Sequence, residues 1–128
     1  MHKPFLTTAA LLAALAVALG AFGAHGLKQI VAVETVSTFE TGVRYQMYHA
    51  LALLLTGILF EKFPSRNLKA AGICFIIGII LFSGSLYLLT ALKAADTVGL
   101  NGIGIITPFG GLFFIAGWIA LAIGIARK

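Results

Sequence analysis

The sequence predicts an all-α integral membrane protein, a four-helix bundle with short loops. Three observations lead there. The 128 residues are 60% hydrophobic and 10% charged, where a soluble domain carries about 25% charged residues. Their mean hydropathy is +1.05. Four apolar stretches, at about 4–24, 38–63, 68–92 and 108–126, each approach the roughly 20 residues that a membrane-spanning helix needs. A chain with so few charges cannot cover its own surface in water, which excludes a soluble globular fold and a disordered chain alike. The four spans use most of the chain, so residues 1–128 form one transmembrane domain with no room for a soluble one. The single cysteine, Cys74, excludes a disulfide framework and a cysteine-based zinc site. The net charge is +5. The basic residues lie in short clusters between apolar runs, so they do not form a nucleic-acid-binding stripe, and no nucleic-acid partner is expected.

Helix 1 starts at Pro4, where a proline is tolerated because its missing N–H would be unpaired anyway. The basic start (His2, Lys3) and the small residues Gly20, Ala21, Gly23 and Ala24 also suit a signal peptide. Against this, the apolar run of about 21 residues is longer than the roughly 7–15 residues of a secretory apolar core, and a retained helix is expected. Gly26 stops the helix, and residues 27–36 read as a short helix or turn at the outer interface. Ser37-Thr38-Phe39-Glu40 fits a capping box, so helix 2 is expected to begin at Thr38. Running to Phe63, it would be about 39 Å long at 1.5 Å per residue, more than the hydrocarbon core of about 30 Å. Pro64-Ser65-Arg66-Asn67 makes a tight turn, which sets helices 2 and 3 antiparallel. Residues 93–107, with Gly99, Gly102 and Gly104, read as the loosest segment, and Thr107-Pro108 as the capped start of helix 4.

With four spans, one side of the membrane holds Lys3, Lys62, Arg66, Lys69, Arg127 and Lys128. The other holds Lys28, Arg44 and Lys93, with the acids Glu34, Glu40 and Asp96. The positive-inside rule makes both termini cytoplasmic.

Lipid tails are as apolar as leucine, so membrane helices associate by close packing at small residues. Helix 1 offers Ala9, Ala13, Ala16, Gly20 and Ala24; helix 4 offers Gly110, Gly117 and Gly124, seven apart. A seven-residue repeat keeps one face toward a partner. That partner is either another helix of the bundle or a second subunit, and the small size of the bundle favours a homo-oligomer.

Counting equal steps from the 64–67 turn places Arg44, Tyr45, Tyr48 and His49 at the depth of Ser83, Ser85 and Tyr87, with His25 approaching from helix 1. Ionisable groups in a membrane are costly and normally face the bundle interior with partners. Glu40 lies four residues before Arg44, the favourable order for an ion pair. The expectation is a polar cluster of His25, Glu40, Arg44, Tyr45, Tyr48, His49, Ser83, Ser85 and Tyr87. Each member also has a plainer reading. Glu40 and Arg44 suit a cap and an interfacial anchor, the tyrosines an aromatic belt, His49 and the serines interhelical hydrogen bonds, and Cys74 a small apolar core residue. No catalytic motif is present: the three histidines are 23 and 24 residues apart, and 99–104 lacks the order and lysine of a phosphate-binding loop. No cofactor and no metal are expected.

Four stretches carry a family resemblance: Gly20 to Leu27 (GAFGAHGL), Thr38 to Ala52 (TFETGVRYQMYHALA), Ser83 to Leu89 (SGSLYLL) and Ile106 to Gly111 (ITPFGG). Together they resemble the YgdD/YwdK-type family of small bacterial membrane proteins, a domain of unknown function. The resemblance implies four helices in the bacterial inner membrane and supplies no activity. It also implies that the motif residues belong to one site. The expected function is therefore a non-enzymatic binding or assembly role in the membrane, with lipid as a partner and any small-molecule ligand unidentified. The alternative is a small-solute channel or transporter formed by an oligomer.

Overall fold

The computed structural model describes residues 1–95 and 101–127. Expectations for residues 96–100, and for Lys128, lie outside the described residues. The chain is all-α: α1 (Lys3–Ala24), a short 3₁₀ turn (Leu27–Gln29), α2 (Val33–Leu59), α3 (Arg66–Gly78), a π-helical segment (Ile79–Ser83), α4 (Gly84–Ala94) and α5 (Asn101–Ala126). The third rod is continuous from Arg66 to Ala94 through the π segment. Among the described residues three stretches are long and apolar enough to cross a membrane: Lys3–Gln29, Arg66–Ala94 and Gly102–Ala126. The fourth rod, α2, carries Arg44, Tyr45, Gln46, Tyr48 and His49 within its length, and its composition is correspondingly more polar.

The expected capping box does not start α2. The helix begins at Val33 with Ala32 as its cap. Thr38 and Thr41 lie inside it, their hydroxyls donating back to the carbonyls of Glu34 and Ser37 at 3.1 and 3.0 Å. The early start follows from packing. Val36 and Phe39 bury together with Leu27 of the 3₁₀ turn, and Glu34 in the first turn suits the positive end of the helix dipole. At the other end α2 stops at Leu59, and Phe60–Phe63 form a turn. The expected start of the last helix at Pro108 is also corrected. Asn101–Ala126 is one helix with Pro108 inside it. The ring of a helical proline crowds the carbonyl four residues earlier, which here belongs to Gly104, a residue with open space around it.

Two seams hold the rods together. On the first, α5 runs antiparallel along α3, the π segment and α4 in a seven-residue register. Gly124 meets Leu68, Gly117 meets Phe75 and Gly110 meets Phe82. Phe114 in turn fills the space left by Gly78, and Leu121 packs with Ala71. Large residues thus face glycine or alanine: the Phe75 and Phe114 rings fill the space left at Gly117 and Gly78, and at Gly110 the missing Cβ admits the Phe82 backbone. A Cβ at Gly117 would lie 2.7 Å from Phe75 Cε1 and 3.3 Å from the Ala71 carbonyl oxygen. The glycine row of α5 is therefore packed within the chain. On the second seam α1 lies along α2. Phe5 and Ala9 bury against Leu53; a Cβ at Gly23 would lie 3.0 Å from the Phe39 ring, and one at Gly20 3.4 Å from Val43. The inner row of α1 is thus Phe5, Ala9, Ala16 and Gly23, whereas Ala24 is exposed. α2 and the third rod form the central pair, with α1 and α5 outside them.

Candidate functional site

The face that α2 turns inward is set by Gly42. A Cβ there would lie 2.9 Å from the Tyr87 ring, so the third rod approaches α2 closely at this point. Residues that follow at helical spacing, Gln46, His49, Leu53 and Thr56, are all buried. At 3.6 residues per turn Arg44 points about 200° away from Gly42, and Glu40 about 160°. Arg44 is accordingly exposed and Glu40 half-buried. Among the described residues no ion pair joins them. The expected inward-facing Arg44 is corrected by this geometry: a close helix contact through Gly42 and an inward Arg44 cannot both hold. His25 ends α1 and is exposed, its backbone N–H donating to the Phe22 carbonyl at 3.2 Å. Tyr48 is 52% exposed, with its ring 5.7 Å from that of Tyr45.

Of the remaining expected residues Tyr45 is exposed, whereas His49, Ser83, Ser85 and Tyr87 turn inward, with Gln46, Thr107 and Trp118 as unexpected partners. They form joints between pairs of rods. Gln46 links three rods: its side-chain Nε2 donates to the Leu12 carbonyl of α1 at 2.8 Å, and its Oε1 accepts from the Tyr87 hydroxyl of α4 at 2.6 Å. The Ser83 hydroxyl donates to the Gly42 carbonyl at 2.6 Å, joining the π segment to α2. The Ser85 hydroxyl lies 2.8 Å from the Phe82 carbonyl and 2.6 Å from the Thr107 hydroxyl. Because Ser85 has one proton and Phe82 offers only a carbonyl, Ser85 donates to Phe82 and accepts from Thr107, which joins α4 to α5.

His49 makes the joint between α2 and α5. Trp118 Nε1 lies 3.1 Å from His49 Nε2, and His49 Nδ1 lies 2.8 Å from the Tyr45 carbonyl oxygen. Indole N–H only donates, so Nε2 must accept and the ring proton sits on Nδ1, donating to Tyr45. The imidazole is stacked on Phe114 at 3.5 Å between centroids and 9° between planes. Tyr45 extends this aromatic layer, with its ring 4.8 Å from that of Phe82.

Both nitrogens of His49 are thus occupied inside the chain. The same is true generally: among the described residues every buried side-chain nitrogen and oxygen has a hydrogen-bond partner. Thr56 and Thr90 meet this condition by donating to the carbonyls of Ala52 and Leu86, each at 2.8 Å. Among the described residues, no three His, Cys, Asp or Glu side chains converge as a metal site. Among the described residues the buried part of the arrangement is a set of interhelical clasps whose polar atoms are already paired.

Sequence comparison places the chain among bacterial membrane proteins. It is 40% identical over 126 residues to the UPF0382 membrane protein YwdK of Bacillus subtilis, covering 98% of each chain. It is 43% identical over 127 residues to a UPF0382 membrane protein of Haemophilus influenzae, covering 97% of this chain and 94% of the relative. A UPF0382 membrane protein of Staphylococcus saprophyticus, SSP2132, is 43% identical over 122 residues, covering 95% and 96%. No solved structure matches the chain. The family model described as "Protein of unknown function (DUF423)" matches residues 19–111, which include every clasp residue named above except Leu12 and Trp118. The chain belongs to this family of membrane proteins.

Proposed function

We propose that this protein works by association within the bacterial inner membrane and catalyses no reaction. In this reading all four rods cross the bilayer, both termini are cytoplasmic, and the buried polar residues hold the rods in a fixed shape while an outer face engages transmembrane helices, including those of further copies. The carrying observation is how the side chains are divided. Among the described residues the buried polar side-chain atoms all have hydrogen-bond partners within the chain, and α1 presents a second row of small residues, Ala10, Ala14, Ala18 and Ala21, all exposed. The inner row of α1 is used against α2; the outer row has the small-residue spacing through which membrane helices approach closely. Six basic residues on the terminal side support the orientation. A reporter active only in the cytoplasm, fused after Lys128, reads it directly.

The test of association is the native mass of the purified protein in lipid nanodiscs. The wild type is expected to exceed the mass of one chain, or to carry a second protein. Ala14→Leu with Ala18→Leu should reduce it to a single chain that still melts at the wild-type temperature. A wild type that is always a single bare chain, or that passes solutes in proteoliposomes as that single chain, contradicts the proposal.

A further inference from the structure

Where α2 turns into α3, a cavity of about 220 Å³ opens between that turn and the last turn of α5. Its polar lining includes Lys62, Asn67 and Arg127, and its apolar wall is Phe63 and Pro64. Gly124 makes the cavity's geometry. A Cβ at this position would strike Leu68 and come within 3.2 Å of Asn67 Cβ and 3.3 Å of Ser65 Oγ. Its absence brings the end of α5, and so Arg127, against the first turn of α3. The Lys62 ammonium lies 5.9 Å from the Phe63 ring centroid, a cation held over the cavity's apolar wall. Among the described residues, none of those lining the cavity is acidic. Glu61, next to Lys62, is exposed and outside the lining. Arg66 and Lys69, exposed on the adjoining turn, add to the positive potential.

Lys and Arg side chains only donate, and an Arg guanidinium matches two phosphate oxygens at once. The cavity is smaller than the roughly 300–1,000 Å³ clefts that enclose a drug-sized ligand, and so has room for a headgroup. It lies at the end of apolar rods, where a basic pocket between membrane helices meets the headgroup layer. We propose that this cavity binds the phosphate of an anionic phospholipid, with Lys62 and Arg127 on the phosphate and Phe63 and Pro64 against the glycerol and first acyl carbons. The site is separate from the outer face of α1 and does not depend on assembly.

The test uses the full chain purified in zwitterionic micelles doped with phosphatidylglycerol or with phosphatidylcholine of the same acyl chains. Native mass spectrometry counts retained lipid, and thermal unfolding is measured alongside. The wild type should retain phosphatidylglycerol and melt higher with it, and should do neither with phosphatidylcholine. Lys62→Gln with Arg127→Gln should lower retention several-fold, whereas Lys62→Arg with Arg127→Lys should preserve it and Lys93→Gln should leave it unchanged. Retention in the glutamine variant equal to wild type, or equal retention of both lipids, overturns the proposal. If the glutamine variant fails to fold, the comparison of the two lipids on the wild type decides. Inorganic phosphate that by itself raises the melting point and displaces the retained lipid overturns the lipid assignment in favour of the free anion.

Discussion

Trp118 has only a donor to offer His49, and this orients the imidazole. Removing either partner should therefore be felt by the other. A hydrogen bond between membrane helices contributes about 0.6 kcal/mol on average and up to ~1.7 in double-mutant cycles. Trp118→Phe, His49→Phe and the double variant, unfolded in the same micelles, should give a coupling energy in that range. Additive losses would mean that the 3.1 Å contact carries no energy of its own. Part of this was legible in the sequence. The count from the 64–67 turn set Ser83 and Tyr87 beside residues 44–48 of α2, and they bond to Gly42 and Gln46, whereas His49 packs nearer that turn, beside Phe75. What the count could not supply was direction. It weighed the rows through Glu40–Arg44 and Tyr45–His49, while the buried row is Gly42, Gln46, His49, Leu53 and Thr56. Two signals marked that row in advance: a glycine, which permits close approach, and a glutamine with no other reason to be in an apolar span. Trp118 had no such signal, because an indole on a membrane helix is ordinarily an interfacial anchor.

At the scale of elements, the α3–α5 seam rests on missing Cβ atoms. Gly117→Leu would drive a branched side chain into the Phe75 ring and toward the Ala71 carbonyl. Overpacking of a well-filled core costs about 1–3 kcal/mol, and at a contact this tight the upper end is expected, as a lowered unfolding temperature in detergent. Ile115→Leu, at an exposed position, should change little. Equal stability of the two variants would show that the seam tolerates separation of α3 and α5. The rods themselves could be read from the sequence because a run of about 20 apolar residues has few alternatives in a membrane. The glycine row of α5 was visible too. Its partner was not, because the register appears only when Leu68, Phe75 and Phe82 are aligned against it in the opposite direction. Helix starts were misread where a local signal met a stronger packing term. Ser37–Glu40 looks like a cap, but Val36 and Phe39 gain more by continuing the helix beneath Leu27. Pro108 looks like a first turn, but the helix runs through it from Asn101 to Ala126.

For the whole molecule, the polar joints lie between rods that apolar packing alone would leave free to slide. Gln46 fixes α1 and α4 to α2, Ser85 and Thr107 fix α4 to α5, and His49 with Trp118 fixes α5 to α2. Membrane helices associate by close packing and interhelical hydrogen bonds, so this bracing adds to the glycine seams in favouring one arrangement of the four rods. The central claim is that these residues hold the chain together while its outer surface does the joining. Native mass measured against temperature, on Gln46→Leu with Tyr87→Phe in nanodiscs, tests it most directly. The account predicts the wild-type assembly mass at low temperature and dissociation or unfolding at a clearly lower temperature than wild type. An assembly already lost at low temperature, from a chain that unfolds at the wild-type temperature, would contradict it and make the polar cluster itself the contact site.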